Sequence, residues 1–311
     1  MDCVLVTGAA GFIGSHTVDQ LLAGGFRVVG VDNFRTGRRE NLVGALATGR
    51  FELRELDVAE PGALDAVVAA VRPGAIIHLA ALVSVQDSME NPALNYRLNV
   101  AATQEVAEVA RRRGVARIVF ASSAAVYGDT VVRPIDEETA KRPISPYGGA
   151  KLASEALLLG HGAAFGFVVR CQRYFNVFGP RQDPASPYSG VISIFDRRYR
   201  DGKGVTIFGD GQQTRDFISV HDVARANVLA ATKPGVESGI ANICTGRSTS
   251  LLQVAEIFGR HYPGSPAPVL AAPRAGDIIH SLGDPAVASA ELEFTAKVSV
   301  EDGLAELIRG A

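Results

Sequence analysis

Val4-Leu5-Val6 is a short β-branched apolar run and predicts a buried strand. Residues 12–25 follow with Ile13, Val18, Leu21 and Leu22 on one helical face, and Gly24-Gly25 stops the helix. Arg27–Val31 predicts a second strand and Phe51–Val58 a third. Leu64, Val67, Val68 and Val71 give the i, i+3, i+4, i+7 stripe of an amphipathic helix, and Ala75–Ala80 is a continuous apolar run. Leu94, Leu98, Ala102, Val106 and Val109 form the next stripe, closed by Gly114. Arg117–Ala121, Pro146–Leu159 and Phe167–Cys171 continue as strand, helix and strand. This alternation predicts an α/β fold, a doubly wound parallel sheet covered by helices on both faces. Ligands of such sheets bind beyond the carboxyl ends of the strands, so the residues just after each strand carry the most information.

After residue 176 the regularity breaks. Loops rich in Gly, Pro and polar residues occupy 179–190, 200–216 and 262–277, while 217–244 has a strand-and-helix pattern that could return to the main sheet. The expected division is a nucleotide-binding domain of residues 1–176 and 217–245. Residues 177–216 and 246–311 would form a smaller, mixed substrate domain over the sheet's carboxyl edge.

Composition narrows the function classes. The 311 residues are 47% hydrophobic with a net charge of −2, which excludes a disordered chain and leaves no electrostatic footprint for nucleic acid. Cys3, Cys171 and Cys244 have neither disulfide nor CxxC spacing, and the six histidines show no paired metal-ligand spacing. No metal is expected. His78 lies in a strand and reads as packed or hydrogen-bonded. No apolar stretch reaches the ~18 residues of a membrane-spanning helix, and the strand pattern begins without a basic leader. The expectation is a cytoplasmic protein with no membrane or nucleic-acid partner. Arg111-Arg112-Arg113 is explained by the favourable end of a helix dipole.

The chemistry begins at the first turn. Thr7-Gly8-Ala9-Ala10-Gly11-Phe12-Ile13-Gly14 spaces its glycines G-x-x-G-x-x-G between a strand and a helix. Backbone without side chains lets a pyrophosphate approach the helix N-terminus, where unpaired N–H groups and the dipole favour negative charge. Asp32 ends the second strand, where a carboxylate accepts hydrogen bonds from the adenosine ribose and repels a 2′-phosphate, so the cofactor reads as NAD. Arg35, Arg38 and Arg39 could hold a 2′-phosphate if Asp32 turned away, but a solvated loop explains them as well. Asp57-Val58, placed at the end of the third strand, is positioned for the adenine.

Tyr147 and Lys151 are four apart in a helical segment and share a face, and Ser123 follows a strand at the same carboxyl edge as the glycine loop. A phenol is a poor base near neutrality. A nearby ammonium and a cationic nicotinamide would favour phenolate, and a shift of about 3 units corresponds to roughly 4 kcal/mol.

TGAAGFIG, Asp32-Asn33-Phe34, Leu79-Ala80-Ala81, Ser122-Ser123-Ala124-Ala125-Val126-Tyr127-Gly128, Tyr147-x-x-x-Lys151 and Arg173-Tyr174-Phe175-Asn176 together resemble the extended short-chain dehydrogenase/reductase superfamily. More narrowly, they resemble its nucleotide-sugar 4-epimerases of the UDP-galactose and UDP-N-acetylglucosamine kind. The likeness runs almost from end to end. It implies a Rossmann-like NAD domain with a small C-terminal substrate domain. Tyr147 would be the base on the sugar 4-hydroxyl, Lys151 would lower its pKa and bind the nicotinamide ribose, and Ser123 would be the hydrogen-bonding partner. Gly8, Gly11, Phe12, Ile13, Gly14, Asp32, Asn33, Asp57, Val58, Leu79, Ala80, Ala81 and Tyr174 would line the NAD site. Asn176 would hold the substrate diphosphate. The resemblance also implies a homodimer packed through helices near 93–113 and 147–160.

Gly209–Phe217, containing Arg215, resembles the family segment whose Arg binds the nucleotide diphosphate, and Pro273–Asp277, containing Arg274 and Asp277, resembles the second. Two guanidiniums suit a diphosphate because each can donate two bonds to one phosphate. Val205–Phe208, with Thr206 and Phe208, resembles the nucleobase-lining stretch, and Val191 falls in the same expected substrate site. Ser84 and Gln86 could face the sugar, though loop polarity accounts for them equally. Ser281, seven residues after Arg274, stands where family enzymes restricted to glucose and galactose often carry Tyr, which implies room for an acetamido group.

The implied reaction is 4-epimerisation of a UDP-sugar through a transient 4-keto intermediate. A 4,6-dehydratase or decarboxylase on the same fold is the nearest rival. The dehydratase needs an acid/base pair after the catalytic hydroxyl residue, and here those positions are Ala124 and Ala125, which cannot move protons. A non-catalytic NAD-binding regulator is the alternative of another class. It would have no need of Ser123, Tyr147 and Lys151 together.

Overall fold

The computed structural model describes residues 2–183, 190–273 and 278–310. Seven parallel strands form the central sheet: β1 (Cys3–Thr7), β2 (Arg27–Asp32), β3 (Phe51–Glu55), β4 (Ala75–His78), β5 (Arg117–Ser123), β6 (Val168–Tyr174) and, after four others, β11 (Gly239–Ile243). The spatial order is β11-β6-β5-β4-β1-β2-β3. The chain therefore winds outward from β1 to β3, then returns to lay β4 on the other side of β1 and winds the opposite way. The crevice of this reversal lies between the carboxyl ends of β1 and β4, at Thr7 and His78, which pair in register. The segment after residue 217 does return to the sheet, because β11 pairs with β6.

Burial on both faces explains why the inner strands read as unbroken apolar runs. Every residue of β1 and β4 is buried. Alternate residues feed two cores. Val4 and Val6 pack with α1 (Phe12–Ala23), while Leu5 packs with α3 (Ala63–Val71) and α6 (Ala102–Arg113). Between α1 and α6 lie the short helices α2 (Val43–Leu46), α4 (Val85–Glu90) and α5 (Pro92–Asn95), and a π-helical turn over Tyr96–Ala101 runs from α5 into α6. The second face is completed by α7 (Pro146–Phe165) and the first by α9 (Val220–Thr232).

A third apolar cluster lies outside these layers. Phe178, Phe195, Tyr199, Ile207, Phe258 and Leu304 gather there from β7 (Asn176–Phe178), α8 (Val191–Arg200), β8 (Thr206–Phe208), α10 (Leu251–His261) and α12 (Val300–Arg309). Small ladders tie the region together. β9 (Thr214–Arg215) pairs with β12 (Thr249–Ser250), β10 (Phe217–Ser219) with β7, and β13 (Val269–Ala271) with β8, while α11 (Ala286–Leu292) packs back against β11. Among the described residues no helix is long and apolar enough to cross a membrane, and no three His, Cys, Asp or Glu side chains group as metal ligands.

Several boundaries differ from the sequence pattern: β5 and β6 run on to Ser123 and Tyr174, and two other elements change more. β3 stops at Glu55, so Asp57 and Val58 belong to the following turn, where the Asp57 carboxylate accepts the Ala59 N–H at 2.8 Å. α7 continues to Phe165, through Gly160 and Gly162. Packing overrides glycine's weak helix propensity at Gly162, where an added Cβ would lie 2.8 Å from the Phe167 carbonyl oxygen.

Candidate active site

The glycine loop crosses the crevice between β1 and β4. Gly8 has φ +69, and a Cβ there would stand 2.8 Å from the Ala80 nitrogen. A Cβ on Gly14 would stand 1.9 Å from the Gly8 oxygen, so the start of α1 rests directly on the loop. Ser145, Ser219, Ser250 and Ser299 cap α7, α9, α10 and α12 with their hydroxyls, whereas α1 begins at Gly11 with no side-chain cap. The opening N–H groups, around Phe12 and Ile13, thus form an uncapped positive helix end at the carboxyl edge. Leu79, Ala80 and Ala81 are half-buried beside it, and the Leu79 and Ala80 N–H groups both donate to the Thr7 hydroxyl.

Asp32 is buried at the end of β2. Its carboxylate accepts the Ala10 and Phe34 N–H groups, each at 2.8 Å, which locks the glycine loop to the next turn. Burial pushes its pKa up against these bonds. Asn33 is exposed. Arg38 pairs with Asp183 at 2.8 Å, and Arg39 pairs with Glu55 while covering the Phe34 ring. These residues fit NAD: a side-chain-free loop, an uncapped helix start for the pyrophosphate, and a carboxylate at the ribose position.

The second cluster stands across the crevice. Ser123 ends β5, and its hydroxyl accepts the Ala125 N–H at 3.1 Å and lies close enough to the Tyr147 phenol to lower its pKa. The N-terminus of α7 is held by its Ser145 cap and by the Tyr147 N–H donating to Ser88 Oγ at 3.1 Å. A Cβ on Gly148 would lie 2.6 Å from the Ala125 oxygen, so glycine lets the helix rest on the turn after Ser123. Lys151 is buried one turn on. Its Nζ donates to the Ala121 carbonyl at 2.8 Å and lies 5.7 Å from the Tyr147 ring centroid. The structure brings Ser123, Tyr147 and Lys151 together. Burial pushes the Tyr147 phenol up and the Lys151 ammonium down to about 8, and Ser123 opposes the first effect.

Tyr174 also departs from expectation at its polar end. Its hydroxyl donates to Asn227 Oδ1 at 2.6 Å, inside the α1–α9 core. Ser84 is buried as the cap of α4, accepting the Asp87 N–H at 2.9 Å.

On the substrate side the structure gathers several of the anticipated residues. Asn176 donates from its backbone and from Nδ2 to the Asp216 carbonyl. The 279–281 stretch lies along β9: the Thr214 N–H reaches Ile279, the Ser281 N–H reaches Thr214, and Arg215 Nη1 bonds the Thr214 carbonyl at 2.9 Å. Ser281 is half-buried beside this arm, Thr206 is exposed, Phe208 and Val191 are half-buried, and Arg274 and Asp277 lie outside the described residues.

Several residues here escaped the sequence reading. A buried polar column runs from Thr7 through His78 (Nδ1, 2.8 Å) and Thr103 (3.2 Å from Nε2) to the Asn99 carbonyl. Asn99 pairs with both backbone groups of Leu82 and donates to Asn95, whose amide donates to the Pro146 carbonyl beside Tyr147. His78 is packed as expected, and burial lowers its pKa to about 3. Asp216 accepts the N–H groups of Thr245, Gly246 and Gly283. Glu155 and Arg173 form a buried ion pair. The available signals were a carboxylate one turn beyond Lys151 and an arginine inside an apolar strand.

Comparison with known proteins agrees with this architecture. Residues 4–244 match the model of the NAD dependent epimerase/dehydratase family. A UDP-glucose 4-epimerase of Mycolicibacterium smegmatis is 37% identical over 305 residues, covering 98% of this chain and 96% of its own. The crystal structure of UDP-glucose 4-epimerase from Thermotoga maritima with UDP-glucose is 37% identical, with a TM-score of 0.92 over 99% of this chain and 97% of that one. A UDP-N-acetylglucosamine 4-epimerase from Methanobrevibacter ruminantium, in complex with UDP-N-acetylmuramic acid, is 33% identical, with a TM-score of 0.93 over the same shares. The chain belongs to the NAD-dependent epimerase/dehydratase family and is an NAD-dependent epimerase.

Proposed function

We propose that the protein interconverts UDP-sugars at C4, acting on UDP-glucose and UDP-galactose and also on their N-acetyl counterparts. The observation that carries this reading is the Tyr147–Ser123 pair, set across the crevice from the glycine loop, with Ala124 and Ala125 in place of further proton donors. NAD, when bound, supplies a hydride acceptor that returns the hydride within the same turnover.

The chain's residues do the rest. Tyr147 takes the proton of the sugar 4-hydroxyl and gives it back after the sugar has turned over. Ser123 donates to the same oxygen. Lys151 holds its charge under the phenol and reaches the nicotinamide ribose. Arg215 and Arg274 grip the diphosphate and Asn176 assists them, while Thr206, Phe208 and Val191 border the nucleobase. A firm hold on the nucleotide and a loose hold on the sugar allow the sugar to present either face. Ser281, small and half-buried, leaves room for an acetamido group. The exposed small residues Ala153, Ala156, Gly160 and Ala163 on α7 suit close packing against a second copy in a homodimer. The division at residues 176, 217 and 245 separates the NAD-binding and substrate domains.

Purified protein incubated with UDP-Glc, UDP-Gal, UDP-GlcNAc or UDP-GalNAc, without added reductant, should convert each to its 4-epimer, read by NMR. A lasting 4-keto-6-deoxy product would overturn the assignment.

A further inference from the structure

Behind the Ser123–Tyr147–Lys151 cluster lies a buried charged assembly that the proton-transfer reading does not use. Glu155 and Arg173 pair in two places, Nε to Oε1 at 2.9 Å and Nη2 to Oε2 at 2.7 Å, with both side chains at most 2% exposed. Ser122 donates its hydroxyl to Glu155 Oε1. Arg173 Nη1 donates to the Tyr127 hydroxyl at 2.8 Å, and that hydroxyl donates to Asn242 on β11 at 2.7 Å.

Three of its members adjoin residues of the active site. Ser122 precedes Ser123, Arg173 precedes Tyr174, and Glu155 is one helical turn beyond Lys151. In the sheet, Ser122 faces Arg173 and Ser123 faces Tyr174. Strand alternation turns Ser122 and Arg173 together toward the middle of α7, where Glu155 lies. Glu155 is therefore the point at which α7 is fastened to the ends of both strands that carry the site.

Resting on the epimerase reading above, we propose that Glu155 is a positioning residue for the reaction: its carboxylate, clamped by Arg173 and Ser122, fixes the Lys151 ammonium and the register of α7 against β5 and β6. The charge count gives the physical reason. Lys151, Glu155 and Arg173 sum to +1 in a buried space. Around them lie the neutral groups His78 from β4, Tyr147 from α7, Ser122 and Ser123 from β5 and Cys171 from β6, while the half-buried Glu137 carboxylate acts on Arg173 and Tyr127 from the far side. Without Glu155, Arg173 would keep Glu137 as an opposing charge, but Lys151 would lose the carboxylate that acts on it in low-dielectric surroundings, and a lysine can shed its proton. Glu155 already opposes the burial that lowers Lys151.

The test needs no turnover. The chain has five lysines, so 13Cε-lysine NMR of the NAD-loaded protein can follow each titration, with Lys151 identified by its loss in Lys151→Arg. Glu155→Gln should move the Lys151 titration at least about tenfold in proton concentration toward lower pH. The alkaline limb of kcat should follow, with KM for UDP-glucose changed less than twofold. Arg173→Met, which leaves Glu155 to Lys151 alone, should move the titration the opposite way. A purely structural role predicts no such opposed pair, and an unmoved Lys151 titration in whichever variant folds overturns the proposal. Absence of UDP-sugar turnover in the wild type would defeat the substrate assignment and leave this titration readable.

Discussion

The glycine loop and the Tyr147 corner face each other across one crevice and are built by different means. The loop is eight consecutive residues whose geometry comes from backbone alone: Gly8 turns it, Gly11 leaves α1 uncapped, and Gly14 lets the helix rest on Gly8. The corner takes Ser123 from one strand and Tyr147 and Lys151 from a helix 23 residues later. It is held by groups that are remote in sequence, including Arg173 and the column from Thr7 to Pro146. A motif made of missing side chains is local. A motif made of aimed side chains depends on the packing that aims them. Removing one partner of a buried ion pair such as Glu155–Arg173 costs about 3–5 kcal/mol, so the corner is also the more fragile of the two.

The largest expected effect separates the two regions directly. Tyr147→Phe should lower kcat by about 10²–10⁴-fold, the usual contribution of one acid/base group, while the purified variant keeps its NAD. Unchanged turnover would remove Tyr147 from the chemistry. Loss of NAD would show that the regions are not separable in this way.

The column that joins them should respond to acid. His78 is held near pKa 3, below its ordinary value of 6.5, so its stabilising contribution is full above pH 6.5 and declines as pH falls toward 3. Linkage puts the maximum loss on the order of 5 kcal/mol. Melting temperature followed from pH 7 to pH 4 should fall, and His78→Gln should flatten that slope. An equal slope in the variant would assign the acid sensitivity elsewhere.

Gly14→Ala tests the loop. Its methyl would meet a backbone oxygen that cannot rotate away, at a cost of about 1–3 kcal/mol. Weaker NAD retention should accompany the lower melting temperature, measured by cofactor content after gel filtration. Normal cofactor content would refute close packing as the reason for the glycine.

The smallest effect lies on the substrate arm. Ser281→Tyr should reduce kcat/KM for UDP-GlcNAc by about 10–100-fold, a steric loss of roughly 1–3 kcal/mol, and leave UDP-glucose nearly unchanged. Equal losses on both sugars would discard the gate.

Much of this was legible in the chain. The alternation of unbroken apolar runs with 3.6-residue stripes predicts the parallel sheet, because strands buried on both faces must be apolar throughout and helices must be apolar on one side. The glycine spacing predicts the cofactor loop, since a backbone approach needs no side chain. The four-residue interval predicts that Tyr147 and Lys151 share a face. Other features were hidden because they depend on surroundings. The Asp57 carboxylate serves its own turn, the Tyr174 hydroxyl points into the core, and Ser84 caps a helix.

Local periodicity and backbone sterics are properties of neighbouring residues, so sequence alone determined the layers, the crevice residues and the chemical types that meet there. Burial and long-range pairing exist only once the chain has closed on itself. Tertiary structure therefore decided how burial acts on the phenol and on Lys151, which sits near pKa 8, and that Glu155 and Arg173 stand behind them both.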